Sequence, residues 1–160
     1  KKFVKEKYDI IVSYLEGIVF SFVPIPGFKI GIANTVSMFL IAKKQTVGGI
    51  LVNLTRILLS ALLFGNFYSF LFSLAGGILS TVFAILLMRC KAFSFAGVST
   101  VAAVMHNFAQ ILAAVLLFST IKIAVLLPVM MLSGAVTGFI SGLLLIIFSK
   151  KYSKFLNNIV

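Results

Sequence analysis

The sequence predicts an all-α integral membrane protein, a compact bundle of about six transmembrane helices, and three observations carry the prediction. Of the 160 residues, 61% are hydrophobic and 11% charged, against roughly 25% charged in an ordinary soluble domain. The apolar runs are long, rich in Leu, Ile, Val, Ala and Phe, and lack the two-residue alternation of a barrel strand. In hydrocarbon, where no water satisfies the backbone, helices are then the remaining way to span. The basic residues, finally, gather at alternate connections between the runs.

Taken in order, the apolar runs place helices at about Ile10–Val23, Phe28–Ala42, Thr46–Phe64, Phe67–Met88, Ala96–Phe118 and Ile123–Phe148, forming a single transmembrane domain. The opening KKFVKEKYD and the run after it resemble the charged and hydrophobic parts of a signal peptide. Pro24-Ile25-Pro26-Gly27 follows without a small-x-small cleavage site, so the first run reads as a retained span. It ends at that Pro/Gly turn. The second helix stops at Lys43-Lys44-Gln45, the third at Gly65-Asn66 and the fourth at Arg89-Cys90-Lys91, all short connections that suit antiparallel neighbours. The sixth contains Pro128, which either kinks it or marks its first turn. A second topology stays open at the start of the chain: Ile10 to Ala42 as a re-entrant hairpin leaves every later connection on the same side.

Charge supports this arrangement. With the N-terminus inside, Lys1, Lys2, Lys5, Lys7, Lys43, Lys44, Arg89, Lys91, Lys150, Lys151 and Lys154 all fall on the cytoplasmic side, and the C-terminus with them. Lys29 and Lys122 lie outside and Arg56 within the membrane. The net charge of +11 is thus a topology signal and a contact with anionic lipid headgroups, and no nucleic-acid module is required. The single Cys90 excludes a disulfide within the chain and fits a reducing cytoplasm.

Three ionisable residues fall mid-span: Glu16, Arg56 and His106. A charge there costs about 2.5–3.5 kcal/mol on insertion scales, so each requires a partner or a polar cavity. On the third helix Asn53, Arg56 and Ser60 form one stripe; on the fifth His106, Asn107 and Gln110 form another, and Asn34 adds a polar group to the second. If the stripes converge, they enclose a mid-membrane pocket with Arg56 as its strongest donor. The competing structural account is a buried Glu16–Arg56 ion pair with His106, Asn107 and Gln110 as interhelical glue. Donors outnumber carboxylates, which points to an anionic or carbonyl-rich ligand; Lys29 joins the donor set unless it snorkels to the outer headgroups.

Small residues recur every four positions: Ser13, Gly17 and Ser21 on the first helix fit either packing within the bundle or contact with a partner subunit's helix, while Gly134, Gly138 and Gly142 on the sixth fit packing within the bundle. Gly76-Gly77 allows close packing or a kink. One His and one Cys on different segments cannot make a zinc site, no P-loop is present, and the only acids, Glu6, Asp9 and Glu16, supply no paired aspartates for magnesium. No catalytic residue, metal or cofactor is implied.

The segments PGFKIGIAN (Pro26–Asn34), RILLSALLFG (Arg56–Gly65), SLAGGILS (Ser73–Ser80), GVSTVAAVMHNFAQ (Gly97–Gln110) and LSGAVTG (Leu132–Gly138) together resemble the Gx transporter family, commonly labelled heptaprenyl diphosphate synthase component I. That family is similar to the substrate-binding S components of energy-coupling factor (ECF) transporters. The resemblance implies a six-helix bundle that binds a small solute and works with a transmembrane T component and two ATPases. The synthase label implies something else: a non-catalytic accessory component that partners a polyprenyl diphosphate synthase in making the menaquinone side chain. The chain lacks the aspartate-rich motifs of a catalytic prenyl synthase subunit. The polar residues inside the family motifs are Lys29, Asn34, Arg56, His106, Asn107 and Gln110.

Overall fold

The computed structural model describes residues 32–42, 46–64, 67–90 and 92–157. The expected first helix, the Pro24–Gly27 turn, Glu16, Lys29 and the Ser13/Gly17/Ser21 stripe lie outside the described residues, as does the choice between two spans and a re-entrant hairpin. Five α-helices occupy what is described: α1 (Ile32–Ala42), α2 (Thr46–Phe64), α3 (Phe67–Cys90), α4 (Phe95–Phe118) and α5 (Leu127–Asn157), with a 3-10 segment, Ile121–Leu126, between the last two. No strand occurs among the described residues. Three stretches, Phe67–Cys90, Phe95–Phe118 and Ile121–Ile147, are helices long and apolar enough to cross a membrane.

The helices outrun the apolar text in two places. α3 continues through Arg89 to Cys90, where the arginine stands in the last turn and complements the negative end of the helix dipole. α5 runs 31 residues, about 46 Å at 1.5 Å per residue, against a hydrocarbon core of about 30 Å. Its final turns, with exposed Lys150, lie beyond the apolar stretch that ends at Ile147. The sixth segment is not one α-helix. It opens as the 3-10 segment and converts to α at Leu127, so Pro128 sits in the first α turn, where its missing N–H costs no hydrogen bond.

The ends of α4 are built by local chemistry. The Ser94 side chain accepts a hydrogen bond from Gly97 N at 3.1 Å and caps the start. Ser119 takes a left-handed conformation at φ 49° and its backbone N–H donates to Val115 O, which stops the helix. At that same end Tyr68 and Phe72 of α3 stack on Phe118, with ring centroids 5.4 and 6.0 Å apart.

Along the chain each helix packs on the next, and α1 also contacts α3 and α5. The core is small: Met38, Ala84, Val98, Ala102 and Leu145 pack together with Phe39, Leu87 and Met88 around them. Large apolar side chains face outward on every long helix, Leu62, Phe67, Leu116, Val129 and Leu132 among them, the pattern expected where lipid replaces water as solvent.

The closest approach is between α4 and α5. A Cβ on Gly142 would lie 3.1 Å from Phe95 O, and one on Gly138 would lie 2.7 Å from Ser99 O and 2.8 Å from the Thr100 Cα. The Gly134/Gly138/Gly142 stripe thus faces the α4 backbone. Thr100 donates to Ala96 O at 2.8 Å and Ser141 to Thr137 O at 2.8 Å, each bonding its own backbone, whereas the Ser99 Oγ is buried without a hydrogen-bond partner among the described residues.

Candidate functional site

The middle of α3 carries Gly76 and Gly77, and the two face different neighbours. A Cβ on Gly77 would meet Asn53 Nδ2 of α2 at 3.3 Å; one on Gly76 would meet the His106 ring of α4 at 2.8 Å from Cε1 and 2.9 Å from Nδ1. The Ile57 side chain comes nearer still to that position on Gly77, so the His106 ring from α4, and Ile57 with Asn53 from α2, enter space that any larger residue on α3 would fill. The helix pairings put Arg56, Gly76 and His106 at one level, near the midpoints of α2, α3 and α4.

On the α2 side, Asn53 is 4% exposed and fully used. Its Nδ2 donates to Gly77 O at 3.2 Å and to Thr81 Oγ1 at 2.9 Å. Thr81 in turn donates to Gly77 O at 2.7 Å, and Ser80 donates to the same carbonyl at 3.1 Å. Asn53 Oδ1 accepts from Arg56 Nη2 at 3.1 Å. Asn53 thus ties α2 to α3 and holds one edge of the guanidinium.

Arg56 carries five N–H donors, and its Nε is buried with no hydrogen-bond partner among the described residues. None of those residues is a carboxylate, since all three acids precede residue 31. On the α4 side the His106 ring packs against the Gly76 backbone and lies within electrostatic reach of Arg56.

His106 and Asn107 are neighbours in sequence and face different helices. Asn107 Nδ2 donates to Met130 O of α5 at 2.5 Å, and a Cβ on Gly134 would come within 2.7 Å of that same nitrogen. Its hydrogen bond belongs to the α4–α5 contact, away from the Gly76 seam. Gln110 is half-buried one turn beyond His106. Asn34 lies on α1, which pairs with α2 around Ser37, Ile41 and Gly49. Glu16 and Lys29 lie outside the described residues. Of the predicted polar set the structure therefore brings together Asn53, Arg56 and His106, and it turns Asn107 toward α5.

Sequence reasoning missed two hydroxyls. Thr81 accepts from Asn53, and Ser37 Oγ donates to Gly49 O at 2.7 Å, joining α1 to α2. Neither carries a signal in the sequence, because a helical Ser or Thr most often bonds only its own preceding turn. Among the described residues no group of three His, Cys, Asp or Glu could hold a metal ion.

No curated protein and no solved structure matches the chain. The family described as heptaprenyl diphosphate synthase component I matches residues 7–148, which takes in every helix described above except the last turns of α5. By that match, over most of its length, the chain belongs to the heptaprenyl diphosphate synthase component I family.

Proposed function

We propose that the chain is a membrane-embedded, non-catalytic component of a polyprenyl diphosphate synthase, a single domain of about six spans with both termini cytoplasmic. The observation that carries this reading is the extent of the family match: it covers residues 7–148, the apolar spans themselves and not an appended module. A chain with three acids in 160 residues is poorly equipped to hold magnesium against a diphosphate. Its contribution is then positional, keeping a soluble synthase at the bilayer where its long isoprenoid product partitions. On this reading the partner docks on the cytoplasmic basic residues, the exposed Arg89 and Lys150 among them. Pull-down of a polyprenyl diphosphate synthase by the tagged chain from solubilised membranes tests this. The complex is expected to weaken when Lys43, Lys44, Arg89 and Lys91 are replaced by Gln, and purification of the chain free of any prenyl synthase would sink the reading.

A second reading has its own support. The chain binds a small solute at mid-membrane, as the S component of an ECF-type transporter working with a T component and ATPases. Arg56, whose Nε has no partner among the described residues, favours it, because a buried cation is costly unless something pairs with it. Arg56→Ala and His106→Ala are each expected to abolish solute retention or uptake. Unchanged affinity and uptake in both variants would remove Arg56 and His106 from the binding function.

A further inference from the structure

We propose that Arg56 and His106 form a seat over Gly76 for a singly charged anionic group, a carboxylate in the first instance, carried by a solute that enters the bundle. The inference rests on the solute-binding reading and narrows it to one class of charge.

The seat is defined by what is satisfied and what is not. Asn53 holds Arg56 Nη2 at 3.1 Å and is itself anchored to α3 by two further hydrogen bonds, so the guanidinium has a fixed edge. Nε is buried with no acceptor among the described residues. His106 reaches the same level because Gly76 has no side chain. An acceptor placed there completes the Arg56 fork, and oxyanions match that fork in shape.

Charge decides between ligands. Among the described residues Arg56 is the sole formal cation at this level, and none of those residues is a carboxylate. One negative charge neutralises it. A diphosphate would leave surplus negative charge in a low-dielectric interior, where such excess is heavily penalised. Depth decides the source. Arg56 lies ten residues from Thr46 and eight from Phe64, about 15 and 12 Å of helix, so the headgroup phosphates of surrounding lipid stand too far away.

The test uses the full chain in nanodiscs, with thermal unfolding as the readout and hexanoate, hexanamide and geranyl diphosphate as probes. Hexanoate near one hundred times its Kd is expected to raise the Tm by roughly 5 °C. The shift should vanish in Arg56→Gln, persist in part in Arg56→Lys, and be the same in phosphatidylcholine and phosphatidylglycerol discs. No shift with hexanoate overturns the proposal. Equal protection by hexanamide leaves a binding cavity and removes the charged seat. Stronger protection by geranyl diphosphate overturns the single-charge assignment. Stabilisation by phosphatidylglycerol alone assigns the site to lipid, and protection that appears only in Glu16→Gln makes Glu16 the counter-ion of Arg56; either result overturns the seat.

Discussion

The α4–α5 interface and the seam at the middle of α3 both depend on glycine and use it to opposite effect. Between α4 and α5, Gly134, Gly138 and Gly142 bring two backbones together, and the side-chain hydrogen bond that crosses between them runs from the Asn107 amide to Met130 O. At Gly76 the missing side chain makes room for the His106 ring, and at Gly77 for Ile57 with the polar Asn53 beside it. A small residue therefore says only that a neighbour comes close. Whether that neighbour is backbone or a polar side chain decides between a sealed contact and a place where chemistry gathers.

The comparison breaks most readily at α4–α5. In Gly138→Leu the new side chain meets Ser99 O and the Thr100 Cα, backbone atoms that cannot rotate away. The expected cost is about 4 kcal/mol or more, enough to lose the folded monomer. Size-exclusion of a fluorescent fusion reads this directly: an aggregated or absent peak is expected, and a monodisperse one means the helices can part.

Gly76→Ala should cost less, about 1–3 kcal/mol, because part of what its Cβ meets is the mobile ring of His106. His106 O also lies 2.9 Å from that Cβ, so the strain is not wholly relieved by moving the ring. Combining Gly76→Ala with His106→Ala should recover part of the loss. Strict additivity of the two Tm changes would show that the residues do not share the seam.

How much of this was legible in the sequence differs between fold and site. The bounds of α2, Thr46–Phe64, are announced by Lys43-Lys44-Gln45 and Gly65-Asn66, because charges and turn formers interrupt a hydrophobic run sharply. The sixth segment was harder. Pro128 marked a change without saying that the chain before it is 3-10, and the polar turn toward Ser149-Lys150-Lys151 marks the end of the apolar layer, which is not the end of a helix. At the site, residue type identified Arg56, His106 and Asn107 as costly to bury. It could not say which helix each would face, since neighbours on a helix diverge by about 100° and the outcome depends on who stands opposite. Glycines on α3 and α5 settled that, and their effect appears only once the helices are paired.

Asn107→Leu probes the polar exception within the sealed contact. It removes the bond to Met130 O, which still accepts from Ser133 Oγ at 2.9 Å, so the carbonyl is not stranded. Interhelical hydrogen bonds in membranes average about 0.6 kcal/mol with a maximum near 1.7 kcal/mol, and a loss inside that interval is expected from unfolding in mixed micelles. A larger loss would mean that Asn107 supports the seam as well as α5.

The smallest effect belongs to Ser99, and its sign is the informative part. Its Oγ is buried at the α4–α5 contact without a hydrogen-bond partner among the described residues, whereas Thr100 beside it bonds Ala96 O. Its Cβ is the part that packs, since a Cβ on Gly142 would sit 3.1 Å from it. Ser99→Ala keeps that carbon and deletes only the unsatisfied hydroxyl, so stability should hold or rise by about 0.5–1 kcal/mol. The same change at Asn107, where the polar atom has a partner, goes the other way. If Ser99→Ala instead destabilises by as much as Asn107→Leu, the hydroxyl has an acceptor and the α4–α5 contact is less dry than its glycine stripe implies.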